Sequence, residues 1–234
     1  MLDAWKLKKY FSPTLDSSKR PNNKVKWLVH HVPKTAGTSL RATFEQSLGN
    51  EAVYSVYVDT GANQLSKGLP ISTPWCAEVL FGHYTTHQKQ SEIYPKAKRL
   101  TWVRDPLERM WSHIGHVLAL KQPLRIYNYL EKKFLDKGIV DREEMFEILV
   151  KEKSVPHLTN IYSMYFKNVE LNAFDFVGSV HKNQDSLVQL QEILGCPLTE
   201  SSANVRNIKQ TFPVSLRRYE SHFDKEFKIV GKYL

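Results

Sequence analysis

Five short runs of apolar and β-favouring residues, separated by helical spacing or loop-like sequence, constrain this fold more than any other feature. The runs are "KVKWLVHH" (Lys24–His31), "AVYSVYV" (Ala52–Val58), "CAEVLFGHY" (Cys76–Tyr84), "RLTWVRDP" (Arg99–Pro106) and "AFDFVGSV" (Ala173–Val180). Each reads as a strand. Thr38 or Ser39 is expected to cap a helix running to about Leu48, with Leu40 and Phe44 four apart on one face. Leu107, Met110, Trp111, Ile114, Val117 and Leu118 make an apolar stripe over Leu107–Leu120. Asn183–Leu194 reads as a helix stopped by Gly195, and the chain from Val214 onward as helical. Gly61–Pro74 carries turn residues and reads as loop. Strands alternating with helices imply an α/β fold, a parallel sheet covered on both faces. Ligands of such sheets sit beyond the carboxyl ends of the strands. Val32–Ser39 and Arg104–Pro106 both fall there.

The 234 residues suit one domain, 24–234, preceded by a polar arm over 1–23 and carrying a mainly helical insertion at about 121–172. Cys76 and Cys196 lack the spacing of a zinc or redox motif, which suggests free thiols and a cytoplasmic protein. No apolar run is long enough to span a membrane, and the N-terminus lacks an apolar core of signal-peptide length. The net charge of +9 fits either a basic surface or an anionic ligand. The basic residues are scattered rather than clustered with aromatics, which argues against nucleic acid as partner.

"HHVPKTAGTSLRATF" (His30–Phe44) is a strand, a loop of small residues and a helix start. Such a turn offers backbone N–H groups and a helix dipole to a phosphate. Gly37 permits close approach, Lys34 adds a cation, and Thr35, Thr38 and Ser39 add hydroxyl donors. The architecture is P-loop-like, but Lys34 precedes Gly37, the reverse of the ATPase order. In "WVRDPLERMWSHI", Arg104 stands at a strand end and Ser112 about two helical turns beyond Pro106, and both suit a second phosphate. A plainer reading pairs Arg104 with Asp105 or Glu108 and makes Ser112 a packing residue.

With both segments in view, the chain resembles the sulfotransferases that use 3′-phosphoadenosine 5′-phosphosulfate (PAPS). "HVPKTAGTSL" is similar to their 5′-phosphosulfate loop and "VRDPLERMWSHI" to their 3′-phosphate motif, in the family's order. "FGHYTTH" is similar to a Gly-His that follows the strand between them, and "FDFVGSVHKNQDSLVQLQEILG" to the late strand and helix. The branch resembled is the type-2 carbohydrate sulfotransferases, which include heparan sulfate 2-O-sulfotransferase. The resemblance implies the sulfotransferase fold and PAPS as sulfuryl donor, with 3′,5′-bisphosphoadenosine as product. It implies that Lys34 neutralises the leaving phosphate and that Thr35, Ala36, Gly37, Thr38 and Ser39 hold the 5′-phosphate. Arg104 and Ser112 hold the 3′-phosphate, His83 acts as general base, and no metal is required. Arg206 and Lys209, in "SANVRNIKQ", are candidates for the cofactor or an anionic acceptor. The acceptor implied is a carbohydrate or another hydroxyl-bearing molecule. Where many relatives have an acid after the late strand, this chain has "SVHKNQ". The Golgi enzymes' membrane anchor is not seen, so either a small soluble, plausibly bacterial, form or a domain cut from a longer chain is expected.

Three other readings compete. An ATP-dependent kinase would need a Mg²⁺-binding acid at a strand end, where the candidate is Asp105. A non-catalytic module binding sulfated glycan or nucleic acid would need clustered basic residues. Zinc at His83 and His87 has the four-residue step but lacks the glutamate of the zinc-protease motif. His30 and His31 are expected to sit on the strand and pack, with His31 reaching the site as the alternative, His113 and His116 to pack or lie at the surface, and Lys121, Arg125 and Lys132 to form a solvated face.

Overall fold

A computed structural model describes residues 22–198 and 211–234. Strands β1 (Trp27–His30), β2 (Val53–Val56), β3 (Val79–Gly82), β4 (Lys98–Val103) and β5 (Phe176–Ser179) form one sheet in the order β2-β3-β1-β4-β5, every pair parallel. All four residues of β1 and of β3 are buried, as a sheet covered on both faces requires. The helices are α1 (Gly37–Leu48), α2 (Ala62–Ser66), α3 (Gln90–Ile93), α4 (Pro106–Leu120), α5 (Arg125–Lys133), α6 (Arg142–Glu152), α7 (Pro156–Thr159), α8 (Ile161–Tyr165), α9 (Asn183–Leu194) and α10 (Asp224–Val230). No helix among the described residues is long and apolar enough to cross a membrane.

The pleat sends alternate residues to opposite faces. Val29, Phe81 and Trp102 pack with Leu40 and Phe44 of α1 and Leu187 and Leu190 of α9. Leu28 and Leu80 pack on the other face with Ala62, Leu65, Tyr84 and Tyr94. Beside the sheet, α4 and α6 enclose Trp111, Met110, Phe146 and Leu149 with Leu216 and Phe223 of a 3₁₀ stretch, Val214–Phe223.

Three boundaries differ from the sequence expectation. Helix α1 begins at Gly37, and its N-cap is Ala36 at φ 62°, ψ 23°, with no side-chain cap bond. A hydroxyl cap needs an extended backbone at the cap residue. The left-handed turn at Ala36 forbids that, so Thr38 and Ser39 lie inside the helix. Gly61–Pro74 contains α2, because Ala62 and Leu65 bury against the sheet. The C-terminal segment is helical but starts as the 3₁₀ stretch before α10. The start of α4 follows local rules: Pro106 is its first residue, and Asp105 accepts from the Leu107 amide (2.9 Å) and the Glu108 amide (3.1 Å).

Gly178 of β5 lies opposite Trp102 of β4, and a Cβ on it would stand 2.4 Å from the indole Cε2. Trp102 is wedged against Phe176 at 5.3 Å between ring centroids. Alanine ordinarily gains about 0.5–1 kcal/mol over glycine in a strand. Here the overlap outweighs that gain, and Gly178→Ala is expected to lose about 1–3 kcal/mol. Urea unfolding checks this: the midpoint falls with an unchanged slope, and a rise in midpoint would refute the packing argument.

Candidate active site

The loop leaving β1 is wound tightly. The His31 amide donates to Gly82 O at 2.9 Å, which extends the β1–β3 pairing by one residue. Lys34 (φ 73°) and Ala36 (φ 62°) are both left-handed although neither is glycine. Such residues cost about 1–2 kcal/mol each, and they build the concave backbone from which anion cradles are made. Thr35, fully buried, gives its hydroxyl proton to Val32 O at 2.8 Å. Its side chain staples the loop, which leaves the backbone as its donor to a ligand. The first intrahelical bond of α1 runs from the Leu40 amide to Ala36 O (3.0 Å), so the amides of Gly37, Thr38 and Ser39 precede it. The Thr38 side chain is exposed, and that of Ser39 half-buried.

His31 supports this loop from below. A Cβ on Gly37 would meet His31 Nε2 at 1.9 Å, so glycine is required by the close approach of the ring. The His31 ring also stacks on His83, with centroids 4.8 Å apart and planes inclined by 28°. His83 Nδ1 lies 2.8 Å from His31 O. A carbonyl only accepts, so Nδ1 carries the proton and neutral His83 leaves Nε2 as an acceptor. Burial lowers the pKa of His83, and the bond to His31 O opposes that shift. The Tyr57 ring at the end of β2 meets His83 edge-on at 5.0 Å.

The adjacent strand β4 delivers Arg104 to the same end of the sheet. Its amide donates to Tyr162 Oη (2.9 Å), and that hydroxyl donates to Arg104 O (2.7 Å), so the backbone is clamped. The guanidinium reaches Glu108 Oε2 at 3.4 Å, and its buried Nε has no hydrogen-bond partner. Ser112 lies half-buried on α4, two turns in. Arg217 donates to Asp105 Oδ2 and, at 3.0 Å, to Glu108 Oε1. The Asp105 amide donates to His181 Nε2 at 3.2 Å. The histidine of "SVHKNQ" thus ties the loop after β5 to the Arg104 turn.

His113 departs from the sequence expectation. Fully buried Arg109 donates to His113 Nδ1 (3.4 Å), to Leu158 O and to His157 O (3.5 Å). Burial, followed by the positive charges of Arg109 and Lys34, pushes the His113 pKa down to about 3. His113 is therefore a neutral imidazole within electrostatic range of Lys34 and His83. Its four-residue step from Arg109 was the available sequence signal. His31 packs, as expected, against Phe81 and His83, and burial first, then His83 and Lys34, hold its pKa well below the ordinary value. His30 packs as expected, between Tyr84 and Phe174. Lys121, Arg125 and Lys132 are exposed.

His87 Nδ1 accepts from the Lys89 amide at 3.2 Å. Among the described residues no three His, Cys, Asp or Glu side chains group for a metal ion. Arg206 and Lys209 lie outside the described residues. The loop from Lys34 to Ser39, His83, and Arg104 with Ser112 thus follow β1, β3 and β4, three strands paired side by side.

No family model matches the chain, and no curated protein matches it in sequence. Among solved structures, a sulfotransferase from Alicyclobacillus acidocaldarius is similar at a TM-score of 0.48 and 16% identity, over 92% of this chain and 96% of that one. A likeness of that size assigns no activity.

The buried histidines make stability depend on pH. Burial holds His30, like His113, at about 3, against an ordinary 6.5. Above pH 6.5 neither folded nor unfolded chain protonates them. Below it the unfolded chain binds protons that the folded one refuses. Stability therefore falls with falling pH, by up to about 1.4 kcal/mol per pH unit per histidine, until the folded groups protonate near pH 3. Urea unfolding between pH 7 and 5.5 is expected to show this slope. His30→Phe should make it shallower by up to about 1.4 kcal/mol per pH unit while His113 keeps its share, and an unchanged slope in that variant would count against burial of His30 as a cause.

Proposed function

We propose that this chain is a sulfotransferase, moving a sulfuryl group from PAPS to an acceptor hydroxyl, in the first instance that of a carbohydrate. The observation that carries this reading is the order β3-β1-β4. It supports a base, a phosphate loop and a phosphate-reading arginine on three adjacent strand ends. The residues present fit the nucleotide. Helix α1 opens without a side-chain cap behind two left-handed residues, and Arg104 keeps a buried Nε without a partner.

PAPS, when bound, supplies a sulfuryl group already activated by its bond to phosphate. The amides from Thr35 to Ser39 hold the 5′-phosphate end, with the hydroxyls of Thr38 and Ser39 as further donors. Lys34 places its ammonium where negative charge develops on the leaving phosphate. Arg104 and Ser112 hold the 3′-phosphate. Transfers of this kind pass through loose transition states whose charge lies on peripheral oxygens, so fixed cations and dipoles do most of the work. His83 Nε2 takes the proton of the acceptor hydroxyl. His83 Nδ1–H stays on His31 O, which steadies the ring as it becomes cationic. His31 and His113 remain neutral beside it, so their charge does not oppose that step. The motif text further supports the type-2 carbohydrate branch.

A kinase reading leans on Asp105 to hold Mg²⁺. That carboxylate accepts from two α4 amides and from Arg217, which leaves the kinase reading without a free strand-end acid.

Thermal melting with 3′,5′-bisphosphoadenosine beside ATP, ADP and 5′-AMP tests the cofactor class, because a ligand of the native state raises the midpoint with its binding free energy. The bisphosphate is expected to stabilise most. Stabilisation by ATP with Mg²⁺ alone would overturn the reading. Transfer from PAPS to a panel of sugars then tests the roles. His83→Ala should keep bisphosphate binding and lose about 10²–10⁴-fold in transfer. Lys34→Ala should lose turnover far more than affinity. Near-native transfer in the first variant, or a loss confined to affinity in the second, would remove that residue from the mechanism.

A further inference from the structure

We propose, resting on the sulfotransferase reading, that Glu108 is an exchangeable carboxylate. It occupies Arg104 in the nucleotide-free protein and withdraws onto Arg217 when a 3′-phosphate arrives. Glu108 and Arg217 would then set the affinity for that phosphate without touching it.

The two arginines hold the carboxylate unequally. Arg217 Nη2 meets Glu108 Oε1 at 3.0 Å, whereas Arg104 Nη2 meets Oε2 at 3.4 Å, the long end of a hydrogen bond. Arg104 makes no forked contact, and its Nε is buried without a partner. A guanidinium that suits a bidentate oxyanion is thus left half used. Glu108 occupies the third position of α4, in the first turn, where the helix dipole attracts an anion. The same field would attract a phosphate.

The charges decide the direction. Arg104 and Arg217 match Asp105 and Glu108 charge for charge, and Glu220 adds a third carboxylate on the far side of Arg217, so the cluster carries no spare positive charge for a phosphate. His181 Nε2 accepts the Asp105 amide and lies 3.8 Å from Glu108, and it is uncharged while it accepts. Glu220, 3.9 Å from Arg217, only weakens that cation's hold. A phosphate approaching Arg104 is therefore repelled by Glu108 for as long as the carboxylate stays on Arg104. Arg217 offers an alternative partner that needs no new contact, since it already holds the other oxygen. Arg217 belongs to the 3₁₀ stretch after the sheet, so the C-terminal segment acts on the nucleotide end of the site through this one side chain.

Calorimetric titration with 3′,5′-bisphosphoadenosine and, separately, 5′-AMP tests the exchange. Glu108→Gln removes the competing charge and should bind the bisphosphate about tenfold more tightly, with 5′-AMP unchanged. Arg217→Gln leaves the carboxylate to Arg104 alone and should bind it about tenfold more weakly. The double variant should recover at least native affinity, because once Glu108 is neutral no carboxylate remains on Arg104 for Arg217 to draw off, and Arg217 otherwise holds only Asp105 and, loosely, Glu220. Arg217→Lys, which must choose between Asp105 and Glu108, should shift in the same direction as Arg217→Gln and by less, which keeps the test open should that variant not fold. Weaker bisphosphate binding by Glu108→Gln would show that the carboxylate orients Arg104 instead, and would overturn the proposal. A double variant as weak as Arg217→Gln would mean that Arg217 touches the phosphate or only braces the fold, and would overturn it too. If the native protein does not prefer the bisphosphate to 5′-AMP, the sulfotransferase reading itself falls, a result distinct from either of these.

Discussion

The space into which the loop after β1 turns is filled by the ring of His31, and much of the site depends on that packing. The ring leaves no room for a side chain at Gly37, so the backbone there can lie directly on an imidazole. With the turn bent this sharply, α1 starts from a left-handed alanine and without a side-chain cap. The same residue then determines the chemistry of His83 twice, through its carbonyl, which selects the tautomer, and through the stacked ring, which fixes the plane. A disturbance at His31 would therefore reach the loop after β1 and His83 together, although His83 lies 52 residues beyond His31 in the chain.

The electrostatics of the site are less positive than the chain as a whole. The net charge is +9, yet the histidines nearest Lys34 are held neutral by burial. Arg104 stands in a cluster whose carboxylates offset its charge, and Arg109 is buried against carbonyl oxygens and an imidazole rather than a carboxylate. Net charge is a property of the solvated surface and the solution around it. The local field that acts on a bound anion comes from the few groups that burial leaves charged.

Much of this could be read before any coordinates. The five strands sit where apolar runs end at glycine, at Asp-Pro or at a charged flank, and Asp105-Pro106 starts α4 by local rules alone. Arg104 with Glu108 could be read as well, since a helix starting at Pro106 turns its first-turn Glu108 back toward the strand end. What escaped depends on the exact path of the backbone or on contacts between distant segments. Thr35 looked like a phosphate donor, but its hydroxyl is taken by the loop's own turn. Thr38 and Ser39 looked like caps, but the left-handed Ala36 sets the helix start ahead of them and leaves them inside it. His113 looked like a surface or packing residue, because nothing in "WSHIGH" says that Arg109 will be buried against the α7–α8 region or that Lys34 lies within its field.

The sequence by itself determined the class of fold and the place of the strand–loop–helix turn after β1, because hydrophobic period, turn chemistry and motif spacing are local properties that survive in any context. Tertiary structure alone decided the protonation states and the partners: which nitrogen of His83 carries the proton, that His113 is neutral, and that Glu108 answers to Arg217 as well as to Arg104. Those outcomes depend on burial and on charges brought together from segments more than 100 residues apart, as Arg217 and Glu108 are. The energy of a charge is set by its surroundings, and a linear order of residues does not specify them.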